Sequence, residues 1–254
     1  MAGRGAQEVG SCLKKFLEKH LDKNITELRL WSDSCGGQNR NIKMCLMMKF
    51  ILQHHPSLKM ISMKFLESGH SFLPNDSDFS DIEKALKYQQ RLYVPQDYIN
   101  VIKTCRKKTP FKVTAMEKMD FRSTEGMEKA IINRKVNTEG NKINWLSAKE
   151  IQLRKDHPYS LFLRTCHSTE KPFEEIDLTP KQNIKKYHPF PESLELLWPE
   201  GNAISTPKLK DIQSILHLIP SSEQEFYTSL LSNDNVVDDI DGFNADVDFE
   251  FENV

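Results

Sequence analysis

No stretch of this sequence approaches the roughly 18 consecutive apolar residues that a membrane-spanning helix requires. Met1 to Glu8 (Met-Ala-Gly-Arg-Gly-Ala-Gln-Glu) has no apolar core of a secretory signal. The expectation is an intracellular protein, nuclear or cytoplasmic, with no membrane partner. Cysteine is scarce: Cys12, Cys35, Cys45, Cys105 and Cys166 make an odd set of five without a CxxC pair. That excludes an ordinary disulfide framework or zinc knuckle and implies free thiols in a reducing compartment. Net charge is nearly absent too, with 35 Lys and Arg against 36 Asp and Glu. Its distribution is uneven. Ser221 to Val254 holds ten acidic residues and no basic one, whereas Val101 to Glu170 holds 15 Lys and Arg against 8 Asp and Glu. A polyanion-facing middle with an acidic tail fits this pattern, and so does a solvated face with a disordered end. There are no internal repeats.

Hydrophobic periodicity organises the first third. Val9, Leu13, Phe16 and Leu17 recur at helical spacing within Ala6 to Lys23, and Asn24 stops that helix. Thr26 to Trp31 reads as a strand ending in Ser32-Asp33-Ser34-Cys35-Gly36-Gly37. Asn39 opens a second helix to about His55, with Met44, Met47, Met48 and Leu52 on its buried face and Pro56 beyond it. Leu58 to Leu66 is a second strand, broken by Gly69-His70-Ser71. Asp76 or Ser77 caps a third helix with Phe79, Ile82, Leu86 and Gln90 on one stripe, ending near Pro95. The order helix, strand, helix, strand, helix predicts an α/β fold with a parallel layer. Beyond Pro95 the expectation is short strands at Tyr98 to Cys105, Phe111 to Met116, Lys142 to Trp145 and Ser160 to Thr165. An extended Tyr187 to Ser205 follows, then helices at Lys208 to Leu218 and Glu223 to Leu231.

Two carboxylates stand out. Asp33 lies just past the C-terminal end of a strand, where open α/β sheets build their sites. Asp76 lies at a helix start soon after the next strand. Converging at one sheet edge, they would suit divalent cations, which take oxygen ligands from several elements and activate water for phosphodiester chemistry. Each is equally intelligible as turn or cap chemistry. The amides of Gln38, Asn39 and Asn41 either contact a phosphate or orient Asp33; the alternative is that Asn39 caps the helix and Asn41 is solvated. Arg40 is a phosphate contact or a surface charge, and His70 a metal ligand, a proton relay or a turn residue. Lys103, Arg106, Lys107, Lys108 and Lys112 form the best electrostatic candidate for a nucleic-acid contact, with a solvated basic loop as the alternative. His54-His55 and Cys166-His167 lack partners at ligand spacing and read as structural. Trp145 and Trp198 read as core residues rather than base-stacking platforms.

The run Trp31-Ser32-Asp33-Ser34-Cys35-Gly36-Gly37-Gln38-Asn39-Arg40-Asn41 resembles the motif of an uncharacterised, transposon-associated domain of insects and other animals. Gly69 to Asp76, with Phe79, Ile82 and Glu83, resembles its partner motif. Arg4 to Val9 resembles its first helix, and Lys208, Asp211, Ile219-Pro220 and Phe226-Tyr227 resemble its closing segment. The resemblance, over roughly residues 4 to 230, implies an RNase H-like fold with a DDE-style acidic site of the transposase and integrase kind, using Mg²⁺ or Mn²⁺. Asp33 would be its second acid and Asp76 its third, with Asp78, Asp81 and Glu83 as stand-ins. The first acid would fall upstream of Met1, so the resemblance implies a truncated core without independent activity. The alternative is a domesticated, non-catalytic module that binds nucleic acid or protein. The expected organisation is a partial core at 4–95 lacking its first three strands, a strand-rich basic extension with C-terminal helices at 96–231, and an acidic disordered tail at 232–254. A sheet missing strands would expose an edge through which the chain self-associates.

Overall fold

The computed structural model describes residues 3, 5–67, 72–131, 135–179 and 190–236. They fall into two units: one contains 5–67, 117–131, 135–179 and 190–199, the other 72–116 and 200–236.

The first unit opens with helix α1 (Ala6–His20), strand β1 (Glu27–Ser32), helix α2 (Ile42–His54) and strand β2 (Met60–Phe65). β1 and β2 are parallel neighbours, with Leu28 opposite Ile61 and Leu30 opposite Met63. α2 carries the chain from one strand to the other, as a parallel pair requires. Sequence periodicity gives α2 one buried face; instead it is buried almost all round, from Ile42 through Met44–Leu52. Its apolar run sits between the sheet and α1, whose Gly10 comes so close that a β-carbon there would stand 3.0 Å from Met47 Cγ.

After helix α5 (Glu125–Ala130), the sheet continues through β3 (Glu150–Arg154), β4 (Ser160–Arg164) and β5 (Glu174–Asp177), all antiparallel. The order is β1-β2-β3-β4-β5, a five-stranded mixed sheet with β1 at one end. This redraws the boundary expected at 95/96, because strands from residues 150–177 complete the sheet begun at residue 27. Leu28, Leu30, Ile61, Met63, Ile151, Leu153, Leu161, Leu163 and Ile176 point to the apolar core. The opposite face mixes polar side chains with Trp31 and Phe162. There Glu150, 2% exposed, accepts from Ser62 Oγ (2.7 Å), Gln152 Nε2 (3.2 Å) and Arg164. Burial pushes the Glu150 carboxyl up, and these donors outweigh it, holding it below the usual carboxylate range.

The second unit holds helices α3 (Pro74–Lys87) and α4 (Pro95–Thr104). It also contains β6 (Ile204–Ser205), α6 (Thr206–Ile215), α7 (Gln224–Thr228) and β7 (Ser232–Asn233), with β6 and β7 paired in parallel. The strand expected at Tyr98 to Cys105 is therefore a helix. Pro95 starts α4, and Asp97 accepts from the Tyr93 and Val94 amides at its entry. Phe111 to Met116 forms no regular element, and Lys142 to Trp145 gives a single bridge leading into a 3-10 turn at Trp145–Ser147. The stripe expected on α3 is not buried: Phe79 is 58% exposed. Residues 190–203 form no helix or strand beyond a bridge from Leu196 to Arg122, and they lead into β6; only 187–189 of the segment expected to be extended lie outside the described residues. The segment expected as a disordered tail from 232 begins instead with β7, and its remainder, 237–254, lies outside the described residues. Among the described residues no helix is long and apolar enough to cross a membrane.

Lys49 is a charged exception within the core. It is fully buried on α2, with Nζ donating to His157 O at 3.0 Å and lying 5.8 Å from the Phe190 ring centroid. Burial pushes its amine down from 10.5 to about 8, partly opposed by Cys45. Between about pH 8 and 10.5 the unfolded chain holds more proton on this residue than the folded one. The Lys49 contribution to stability therefore rises with pH across that window. Lys49→Met should stabilise the unit by about 1–3 kcal/mol at pH 7 and remove that rise. Urea unfolding of both proteins over the pH range measures the difference; a rise retained in the variant contradicts the assignment.

Candidate functional site

The loop joining β1 to α2 is built from hydrogen bonds at nearly every residue. Asp33 follows directly on β1 and is exposed. Its Oδ1 accepts from Cys35 N (3.2 Å) and Asn39 Nδ2 (2.7 Å). The Asn39 and Arg40 amides both donate to Cys35 O, at 2.8 and 3.3 Å. Asn41, not Asn39, caps α2: its Oδ1 accepts from Met44 N (2.9 Å), while its Nδ2 donates to Gly36 O (2.8 Å). Of the roles expected for Asn39, its side chain orients Asp33 and does not cap α2. Gln38 lies half-buried in the same loop.

Arg40 is turned inward. Only 7% exposed, it donates to Ser34 O (2.6 Å), to Ala148 O (3.4 Å) and to Leu146 O. Its guanidinium thus bolts the Asp33 loop to the segment entering β3, and in this arrangement it is not presented to a phosphate. Burial pulls its pKa down, and the negative Asp33 opposes that shift. No short-range sequence signal could reveal this role, because two of its acceptors lie more than a hundred residues away.

Asp76 belongs to the second unit, at the third position of α3. Its Oδ2 accepts from Leu73 N at 2.6 Å, closing the helix entry. The stand-ins Asp78 and Asp81 are held by Arg106, at 2.6 and 2.7 Å, and Glu83 is exposed. His70 lies outside the described residues. Among the described residues, no group of three His, Cys, Asp or Glu side chains could hold a metal ion. A two-metal centre draws ligands from several elements, and the described residues do not fit one.

The basic candidates separate into two kinds. Hydrogen bonds from Arg106 to Asp81 and Asp78 raise its pKa, its guanidinium lies 4.6 Å from the Phe111 ring centroid, and it ties the end of α4 to α3. Lys103, Lys107, Lys108 and Lys112 are exposed around this anchor. The histidine pair His54-His55 is structural: His54 stacks on Phe50 with ring centroids 4.1 Å apart, and His55 Nδ1 accepts from Leu58 N at 3.1 Å. Trp145 is buried, and Trp198 packs on Phe121. The residue that periodicity passed over is Trp31. It is 49% exposed on β1, with Lys64 Nζ 5.3 Å and the His167 ring 5.8 Å from its ring centroid.

Arg40→Ala removes the donor from three carbonyls at once, and should cost about 3 kcal/mol. It should also release the amides of the Asp33 loop to faster hydrogen exchange. Unchanged protection at residues 35–41 would show that the loop holds its shape without the guanidinium.

Comparison with known proteins bears on this region. No curated protein and no solved structure matches the chain. The family model described as a domain of unknown function, DUF7869, matches residues 5–154, from the turn before α1 to the last residue of β3. The Asp33 loop, Asp76 and the basic segment at and after the end of α4 all lie within the match, whereas the closing segment near Phe226 lies outside it. The match spans more than half of the 254 residues, and the chain belongs to the DUF7869 family.

Proposed function

We propose that this chain is a transposase-derived domain with an RNase H-like core, retained as a nucleic-acid-binding platform rather than as a nuclease. The observation that carries the reading is the basic segment that runs from the last turn of α4 into the residues following it. There Arg106 is locked to Asp78 and Asp81, while Lys103, Lys107 and Lys108 project into solvent beside it. A fixed guanidinium neutralises the nearest acids and leaves the lysines to a polyanion.

Two features support the structural side of the reading. The β1-α2-β2 unit is parallel, and an oriented acid stands at the C-terminal end of its first strand. Asp33 would then be the remnant of an acidic site that, in a complete relative, holds Mg²⁺ or Mn²⁺. The non-catalytic side rests on the same loop. Asp33 has both its donors within the loop, and no metal-binding group of described residues surrounds it.

Lys103, Lys107 and Lys108 changed together to Ala should weaken binding of duplex DNA. The slope of log affinity against log salt should fall by about 0.9 for each phosphate no longer neutralised. Asp33→Asn should leave the affinity unchanged. Fluorescence anisotropy of a labelled duplex over a salt series measures both. Equal binding by the lysine variant would refute the role given to this segment, and Mg²⁺- or Mn²⁺-dependent cleavage abolished by Asp33→Asn would restore the nuclease reading.

A further inference from the structure

β1 ends the sheet, and among the described residues no strand pairs with its outer edge. Main-chain hydrogen bonds show which of its residues face outward. The Lys59 and Met60 amides donate to Thr26 O (2.7 and 3.2 Å), and the Leu66 amide donates to Ser32 O (3.0 Å). Residues 26 and 32 therefore turn their peptide groups toward β2, and by the alternation of a strand so do 28 and 30. Glu27, Arg29 and Trp31 present their N–H and C=O groups outward. Leu28 and Leu30 stand half-buried on the core face, while Glu27, Arg29 and Trp31 are exposed on the other. Such an edge is a template for another strand.

We infer that this edge pairs with a second copy of the same chain, antiparallel, about a twofold axis at Leu28. The charge pattern selects both the partner and the register. With Leu28 opposite Leu28, Glu27 of each copy stands opposite Arg29 of the other. Each such pair closes two main-chain hydrogen bonds and one ion pair, and the two leucines meet on the core face. A twofold at Arg29 would oppose two guanidiniums, and one at Leu30 would oppose Glu27 to Asp33; both put like charges across the strands. The Glu-Leu-Arg sequence at 27–29 is therefore self-complementary in one register. Closure about the axis joins two five-stranded sheets into one and uses up both β1 edges. Within one copy Glu27 and Arg29 already lie 3.3 Å apart with 51% and 65% of their side chains exposed, so both are free to exchange partners. This pairing does not depend on the nucleic-acid reading.

Charge reversal tests the register. Sedimentation velocity of the full chain over a concentration series should show a monomer-dimer equilibrium. Glu27→Arg and Arg29→Glu should each weaken dimerisation about tenfold or more, since each places like charges opposite one another twice. The double variant Glu27→Arg/Arg29→Glu should recover wild-type association. Mixing the two single variants should give a one-to-one heterodimer. Both side chains are exposed, and circular dichroism checks that the variants stay folded. A chain that is monomeric at every concentration overturns the inference, and so does a dimer indifferent to these reversals or single variants that fail to pair when mixed.

Discussion

The burial of α2 on every side governs the sheet-bearing unit. Apolar residues from Met44 to Leu52 leave no polar stripe for solvent, so the helix must be roofed by α1 and floored by the sheet. Gly10 lets α1 come close enough to provide that roof. A fully buried crossover helix forces β1 and β2 to lie parallel beneath it, and their ends fix where the Asp33 loop emerges. The single cation among Met44 to Leu52, Lys49, shows how strict the constraint is: its amine is drawn to one carbonyl and its proton affinity falls.

The same economy shapes the polar side of the fold. Glu150 gathers donors from Ser62, Gln152 and Arg164 across three strands on the face opposite the core. Arg40 performs the equivalent task for the loop, collecting carbonyls from residues 34, 146 and 148. A buried cation of this kind stabilises only while all its acceptors are in place, which favours one loop conformation over its neighbours. Asp33 is consequently well oriented.

The β1-α2-β2 portion is legible in the sequence because its signals are local. An alternating strand leads to paired glycines, an apolar helical run follows, and Pro56 separates it from a second alternating strand. Even the link between Asp33 and a nearby amide is readable from spacing. What escapes is of two kinds. Tyr98, Val101 and Ile102 have β-branched and aromatic character that suggests a strand, yet their spacing is helical, and Pro95 with Asp97 sets the helix start. Glu150 to Arg154 alternates as a strand should, but Glu, Gln and Arg on its second face disguise it until Ser62 and Arg164 are seen to donate to Glu150, with Gln152 and Arg154 linked on to it. Long-range partners such as those of Arg40 and Lys49 cannot be inferred from local pattern at all.

Charge then separates the surfaces by role. β1 carries a self-complementary acid-base pair flanking Leu28, whereas the last turn of α4 and the residues following it carry lysines of one sign around an arginine already neutralised. The first suits a copy of the chain and the second a polyanion. Hydrogen-exchange footprinting of the full chain with and without duplex DNA decides between a lysine-borne platform and a metal-dependent acidic loop. If Lys103, Lys107 and Lys108 hold the duplex, protection concentrates at residues 103–112, and the Asp33 loop stays unchanged whether or not Mg²⁺ is added. Protection confined to residues 33–41 and dependent on Mg²⁺ would contradict that reading.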